Sequence, residues 1–176
     1  MALNIEIKAI CRNPGQVREY LQKSNAEFKG TDYQTDTYFN VQTGRLKLRE
    51  GNIENNLIFY ERNDQPGAKA SNFQLVNVTD PVRLKEVLIK SLGIKAVVDK
   101  KREIYFAGNV KFHLDEVVGL GNFAEIEASD LYAEVSREQL LSQCEFYLQE
   151  LRIKEEDLIS VSYSDMIMGK NELIEG

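Results

Sequence analysis

The sequence contains few of the features that mark secreted, membrane-bound or disulfide-rich proteins. Its two cysteines, Cys11 and Cys144, are too few for a disulfide framework and have no metal-ligating neighbours, so we expect two reduced thiols. No apolar run approaches the length of a membrane span, and the N-terminus lacks the apolar stretch of a secretion signal. These absences predict a cytoplasmic protein with no membrane partner.

An excess of positive charge is also absent. The formal net charge is −6, which argues against a broad surface for binding a nucleic-acid polymer, because such a surface needs clustered lysine and arginine. A concentrated basic site can still lie inside an acidic protein. The positions of the cations along the chain therefore matter more than their total.

What is present is the composition of a globular protein. Of the 176 residues, 43% are apolar and 28% are charged, which is enough apolar material for a core and too much for a disordered chain. This length fits one domain over residues 1–176, in which we expect residues 169–176 to form a flexible tail.

Most of the chain alternates between apolar and polar residues, as half-buried strands do. Three segments instead have helical spacing behind a capping residue: Asn13 with Pro14, Asp80 with Pro81, and Ser136 with Gln139 three positions later. The predicted strands are residues 2–10, 28–40, 45–49, 57–62, 73–78, 94–106 and two within 110–129. The predicted helices are residues 14–24, 81–92 and 136–152, residues 63–72 are expected to form a mobile loop, and residues 161–168 form either a last strand or a docked tail.

The stretch 110–129 reads as two acidic strands joined by a glycine turn. In the second of them, Glu125 and Glu127 share a face, because side chains two apart along a strand point the same way. Two carboxylates on one face repel each other, so a cation is expected between them. A metal ion, which prefers hard oxygen ligands, is the sharpest candidate.

Nearly every predicted strand carries long charged side chains at alternate positions. In one interpretation the charged faces are simply exposed to water, as in most antiparallel sheets. In the other, an α+β fold closes an antiparallel barrel of about eight strands, with helices packed outside and the charged side chains inside. Such a lining would bind a triphosphate together with Mg²⁺ or Mn²⁺. The residues concerned are Glu6, Lys8, Lys47, Arg49, Arg62, Lys100, Arg102, Asp115, Glu125 and Glu127.

These residues fall in a series of short motifs that resembles the CYTH superfamily, the triphosphate tunnel enzymes that include class IV adenylyl cyclases, thiamine triphosphatases and inorganic triphosphatases. The opening Asn4-Ile5-Glu6-Ile7-Lys8 is similar to the family's ExExK motif. The series continues in order through Asp36-Thr37-Tyr38-Phe39, Leu46-Lys47-Leu48-Arg49, Lys100-x-Arg102, Leu114-Asp115-Glu116-Val117, Leu120-Gly121-Asn122-Phe123, Glu125-Ile126-Glu127 and Ser162-Tyr163-Ser164-Asp165. The resemblance covers nearly the whole chain and is strongest to the class IV cyclase branch.

The resemblance implies an eight-stranded antiparallel tunnel that binds a triphosphate such as ATP with a divalent metal. Its implied metal ligands are Glu6, Asp115, Glu125 and Glu127. Its implied phosphate-binding residues are Lys8, Lys47, Arg49, Arg62, Lys100 and Arg102, with Lys69 closing over the ligand from the loop. Within these sets, Glu6, Lys8, Arg102 and Asp115 are the implied catalytic residues. Arg45 is a weaker candidate at the tunnel mouth.

The sequence departs from the family pattern at a few positions. Asn4 replaces the first acid of the opening motif, which weakens attraction for a metal because an amide carries no charge. Lys47 stands where an arginine is usual and lacks the bidentate fork. Tyr60 lies where a lysine was expected. His113 is the single histidine, and a lone histidine of this kind is more often structural than catalytic. Asp36 is expected either to orient a tunnel cation or to make a strand-end hydrogen bond.

Three functions therefore remain open on the sequence. The first is an adenylyl cyclase that converts ATP to cyclic AMP and pyrophosphate, the second is a triphosphatase, and the third is a non-catalytic binder of triphosphate or polyphosphate, which Asn4 favours. The sequence also leaves a homodimer open.

Overall fold

The computed structural model describes the backbone of residues 1–175 and the side chains of residues 1–170. Eight antiparallel strands close into a barrel in the order β1-β5-β4-β3-β2-β6-β7-β8, which confirms the predicted fold class. The strands are β1 (Ala2–Ile10), β2 (Glu27–Phe39), β3 (Arg45–Glu50), β4 (Asn56–Arg62), β5 (Lys69–Asn77), β6 (Ile94–Ala107), β7 (Val110–Val117) and β8 (Gly121–Ser129).

Closure of the sheet places alternate side chains inside the barrel and the others outside. The outer faces of β1, β7 and β8 form the main apolar core, in which Ile7 and Ile126 are fully buried. Helix α1 (Pro14–Lys23) contributes Leu21 to this core, and helix α3 (Arg137–Glu150) contributes Leu140 and Cys144. Two amphipathic helices thus cover the apolar outside of three strands and leave the polar faces of those strands to the barrel interior.

The three predicted helices begin at their predicted caps. The Asn13 side chain accepts a hydrogen bond from the backbone N–H of Gln16, and Ser136 with Gln139 forms the predicted capping box. Helix α2 (Pro81–Leu92) is capped by Asp80 and buries none of its residues fully. Within residues 1–175, no helix combines the length and apolarity needed to cross a bilayer.

Three predicted segments differ in part from the structure. Strand β5 begins at Lys69 rather than at residue 73, so the loop expected over residues 63–72 is shorter and Lys69 is not part of it. Residues 161–168 do not form a strand, because helix α4 (Tyr163–Glu175) begins there, but the start of this helix is docked on the barrel with Tyr163 buried. The segment expected as a flexible tail, residues 169–176, is helical as far as Glu175, and Gly176 lies outside the described residues.

Candidate functional site

The barrel encloses a cavity of about 110 Å³ lined by side chains from most of its strands. The sequence placed nine charged residues on inward faces that the structure brings to this one cavity, so the interpretation as a sheet with a water-exposed charged face is wrong. They are Glu6, Lys8, Lys47, Arg49, Arg62, Lys100, Arg102, Glu125 and Glu127. Their roles toward a ligand stay predictions.

Asp36 on β2 lies at the centre of a buried basic cluster. Its carboxylate accepts two hydrogen bonds of 2.9 Å from Arg49 and one of 2.8 Å from Lys100, and Lys47 Nζ lies 3.2 Å away. Burial tends to raise the pKa of Asp36, but the charges of Arg49, Lys100 and Lys47 outweigh it and hold that pKa well below its usual value. Asp36 therefore orients tunnel cations, one of the two roles expected for it.

Arg102 is held in place by an ion pair with Asp115. Its guanidinium donates two hydrogen bonds, of 2.6 and 2.5 Å, to the Asp115 carboxylate, which also accepts one of 2.7 Å from the Tyr163 hydroxyl. Asp115 is 3% exposed and does not line the cavity. The expectation that Asp115 binds a metal is not supported by this arrangement, because its carboxylate is already engaged by two donors.

Arg62 on β4 lines the cavity and has two donor atoms without a hydrogen-bond partner among the described residues. It forms an ion pair with Glu6 through Nη1, whereas its Nε and Nη2 atoms are buried and have no hydrogen-bond partner among the described residues. A buried donor without a partner costs free energy, typically about 1–3 kcal/mol. These two N–H groups of Arg62 are suited to an anion that enters the cavity.

Three carboxylates meet beside Arg62. Glu6 and Glu127 are directly opposite each other on the paired strands β1 and β8, and Glu125 is two residues from Glu127. Glu6 is paired with Arg62 and Glu125 lies 3.5 Å from Lys8, whereas no ion pair of the described residues involves Glu127. Burial and the charges of Glu6 and Glu125 raise the pKa of Glu127 to about 7.

This acidic group fits a divalent cation. Potential ligand atoms of His113, Glu125 and Glu127 lie within 4.8 Å of one another. A cation there would remove the repulsion that disfavours the charged form of Glu127, and carboxylate oxygens are the ligands that Mg²⁺ and Mn²⁺ prefer.

His113 supports the acidic group rather than facing the cavity. It is 2% exposed, and its Nδ1 lies 3.2 Å from Glu125 Oε2. Burial and the charge of Arg102 lower the pKa of His113 to about 4, so the ring is neutral near pH 7. The structure thus places His113 where it orients Glu125, in agreement with the structural role that was expected more often.

Asn4 lies in a neutral layer next to the acids. Its partners across the strands are Ser71 on β5 and Ser129 on β8, and all three side chains are at least nine-tenths buried. The Oδ1 atom of Asn4 is buried without a partner among the described residues. An acid at this position would add a fourth carboxylate, so the layer keeps polarity without charge.

One end of the barrel is covered by residues 158–162, the segment that leads into helix α4. We call this segment the cover. The Lys69 ammonium donates hydrogen bonds of 3.3 and 3.0 Å to the carbonyls of Ile159 and Ser160, and the Lys8 ammonium lies 3.9 Å from the centre of the Tyr163 ring. Lys69 is 1% exposed, so it binds this cover rather than closing over a ligand from a loop. Arg45, expected near a mouth, pairs with Asp165 at 3.0 Å beside the cover.

Glu54 and Lys111 line the cavity although the sequence analysis did not select them. Glu54 lies in a turn between β3 and β4, where no alternation marks the direction of a side chain. Lys111 shares the face of His113 and Asp115, and this two-residue period could have identified it.

Comparison with known proteins gives consistent results. The family model described as CYTH domain matches residues 2–163. A protein of Methanocaldococcus jannaschii named "putative adenylate cyclase" is 26% identical over 178 residues, covering 93% of this chain and 98% of that protein.

Solved structures show the same fold. A conserved hypothetical protein from Pyrococcus furiosus matches with a TM-score of 0.78 and 25% identity, over 92% of this chain and 98% of that one. A Hippeastrum protein described as a "putative adenylyl cyclase" with a dominant triphosphatase activity matches with a TM-score of 0.61 and 15% identity, over 98% of this chain and 96% of that one. At 15% identity, the likeness to the Hippeastrum protein shows a shared fold alone.

Proposed function

Because this chain belongs to the CYTH domain family, we propose that it is a divalent-metal-dependent enzyme acting on a triphosphate, and that its reaction is the conversion of ATP to cyclic AMP and pyrophosphate. One observation carries the proposal. Arg62, which has two donor atoms without a partner among the described residues, and Glu127, which no ion pair of those residues involves, line the same cavity, so that anion-binding and cation-binding groups lie near each other.

The phosphate chain would be bound by cations that differ in rigidity. Arg62 has two free N–H groups, and Arg102 is fixed in place by Asp115. Lys8 and Lys47 add point charges with rotatable ends. Together they neutralise charge that builds up on phosphate oxygens, which is the main contribution of protein groups to phosphoryl transfer.

A bound Mg²⁺ or Mn²⁺ would add positive charge and Lewis acidity next to those oxygens, with Glu125 and Glu127 as ligands and Glu6 beside them. His113 holds Glu125 in orientation, since its Nδ1 lies 3.2 Å from Glu125 Oε2. The neutral amide of Asn4 adds no charge to this group. We therefore expect weaker metal binding than in relatives with an acid at this position.

In the cyclase reaction, the ribose 3′ oxygen forms a bond to the α-phosphorus of ATP. The bond from the α-phosphorus to the oxygen that bridges to the β-phosphorus breaks, pyrophosphate leaves with that electron pair, and the hydroxyl proton passes to water. In this proposal the side chains align the hydroxyl with the phosphorus, and Lys8 and Arg102 stabilise the leaving pyrophosphate.

Triphosphate hydrolysis is the second candidate. Water would attack the terminal phosphorus of the same bound chain, so the lining of the cavity supports it equally well. The triphosphatase activity described for the Hippeastrum protein of the same fold favours its inclusion. A binder without turnover is the third candidate, and Asn4 is the residue that favours it.

A product assay separates the three. Purified protein with Mn²⁺ is incubated with ATP, thiamine triphosphate or inorganic triphosphate, and cyclic AMP, pyrophosphate and phosphate are quantified. We expect cyclic AMP and pyrophosphate in equal amounts from ATP, loss of both in Glu127→Ala, and retention of both in Glu116→Ala, which alters an exposed acid on the outer face of β7. Release of phosphate alone would identify a triphosphatase, and no product from any substrate would leave the binder.

A further inference from the structure

The loop between β3 and β4 delivers a carboxylate to the tunnel. Its backbone is held by Asp32, which accepts hydrogen bonds of 2.9 Å from the N–H groups of both Ile53 and Glu54 and is fully buried. The loop also packs tightly, because a Cβ on Gly51 would lie 2.5 Å from an Asp32 oxygen. Asn55 bridges the loop with hydrogen bonds to the N–H and the carbonyl of Gly51. These contacts hold the backbone of the loop, and therefore the position of Glu54, in place.

Glu54 forms ion pairs with two cations, Arg49 and Lys111, whose donors would otherwise be available to an anion. Its carboxylate accepts a 2.9 Å hydrogen bond from Arg49 Nη1 and another from Lys111 Nζ, with Gln34 Nε2 at 3.3 Å. Burial tends to raise the pKa of Glu54, but the charges of Arg49 and Lys111 outweigh it and lower that pKa, so the group is ionised. A phosphate oxygen would accept hydrogen bonds from the same donors.

The position of Glu54 is at the end of the tunnel opposite the cover. Lys69 is the first residue of β5 and Leu75 lies near the other end of that strand. The segment before α4 covers the barrel at the Lys69 end of β5. At the other end, Leu75 and Tyr132 line the cavity while remaining 38% and 50% exposed, and they form an open mouth. Lys111 is the second residue of β7 and lies near this mouth, and its contact with Glu54 places the Glu54 carboxylate there.

We propose that Glu54 limits the length of the phosphate chain that the tunnel accepts, by holding Arg49 and Lys111 at the open mouth where a further phosphate would bind. With these donors of Arg49 and Lys111 engaged by Glu54, the mouth presents Leu75 and Tyr132 rather than a free pair of cations. It therefore accepts the organic end of a nucleoside triphosphate and rejects a fourth phosphate. This inference rests on the proposed function, since it assumes that the inner cations hold three phosphates.

Calorimetric titration with linear inorganic triphosphate and linear tetraphosphate, at one fixed concentration of free Ca²⁺, tests the proposal. We expect Glu54→Gln to increase the affinity for tetraphosphate about tenfold, the equivalent of one charge-assisted contact, and to change the affinity for triphosphate much less. Glu54→Ala should act in the same direction. Glu61→Gln is the control for charge, because Glu61 lies exposed on β4.

The test compares the ratio of the affinity for tetraphosphate to the affinity for triphosphate in each protein. If both Glu54 variants raise the affinities for triphosphate and tetraphosphate by the same factor, or change neither, Glu54 serves only to neutralise the lining and the length limit is refuted. If wild-type protein and all variants fail to bind triphosphate itself, both the proposed function and this inference are refuted. A ratio that changes in Glu61→Gln as much as in Glu54→Gln also overturns it.

Discussion

Glu6 and Glu127 are directly opposite each other on the antiparallel strands β1 and β8, with their side chains in the same cavity. Like charges at such a position normally destabilise a sheet. Arg62 compensates Glu6, whereas the ion pairs of the described part of the chain leave Glu127 without a cation. This local conflict indicates a site that is completed by a ligand.

Glu127→Gln should therefore stabilise the metal-free protein while removing its response to metal. Relief of repulsion from Glu6 and Glu125 is expected to contribute about 0.5–1 kcal/mol, or a rise of about 1–4 °C in Tm. Mn²⁺ with inorganic triphosphate should raise the Tm of wild-type protein and leave that of the variant nearly unchanged. Thermal unfolding with and without both ligands measures this, and a variant that still responds to Mn²⁺ as wild type does would exclude Glu127 as a ligand.

Asp36→Asn should destabilise the fold strongly. The substitution leaves Arg49, Lys100 and Lys47 without their shared carboxylate, and breaking a buried ion pair by removal of one partner costs about 3–5 kcal/mol. Denaturant unfolding gives the free energy of unfolding. Asp64→Asn, at an exposed acid near Arg45, is the matched control and should stay within about 0.5 kcal/mol of wild type. Equal effects of the two substitutions would contradict the central place of Asp36.

The contribution of Asp36 should depend on pH in a defined direction. Its pKa in the folded protein lies well below the value of about 3.9 of an unfolded chain. Its stabilising effect is therefore complete above that unfolded value and decreases as the pH falls toward the folded pKa, because only the unfolded carboxyl binds a proton in between. As the pH falls below about 4, the difference in unfolding free energy between wild type and Asp36→Asn should shrink. A difference that grows with acid would reverse the sign of the shift.

Arg62→Lys should weaken triphosphate binding without unfolding the protein. Lysine keeps the charge beside Glu6 but lacks the Nε and Nη2 donors that are unpartnered in Arg62. We expect the Kd for inorganic triphosphate to rise about tenfold or more, measured by calorimetry. Arg18→Lys, which alters an arginine paired with Glu103 outside the barrel, should leave that Kd unchanged. No change in Arg62→Lys would mean that its free donors do not contact phosphate.

Much of this architecture could be predicted because a strand has a period of two. The alternation in Asn4-x-Glu6-x-Lys8 and in Glu125-x-Glu127 fixes which side chains share a face, and closure of the sheet then brings those faces together. Helix starts were predictable for a similar reason, since Asn13, Asp80 and Ser136 cap their helices through contacts within three residues.

The features that were missed depend on contacts between distant parts of the chain. Glu54 is directed into the tunnel by hydrogen bonds from Asp32, which lies 22 residues away, and nothing in its own turn marks that direction. Lys69 follows a run of loop-forming residues, yet its cross-strand pairing with Glu6 makes it part of a strand. Asp115 carried the expected motif, but its hydrogen bonds with Arg102 and Tyr163 form only when two strands, β6 and β7, and helix α4 are assembled.

The central claim is that acids and cations of the barrel interior bind one metal–triphosphate complex. A crystal structure of the protein with Mn²⁺ and inorganic triphosphate, with anomalous data collected at the manganese edge, tests it most directly. We predict an anomalous peak within bonding distance of Glu125 or Glu127, with phosphate density against Arg62 in the same cavity. Manganese and phosphate bound only on the outer surface, with the cavity unchanged, would contradict the account.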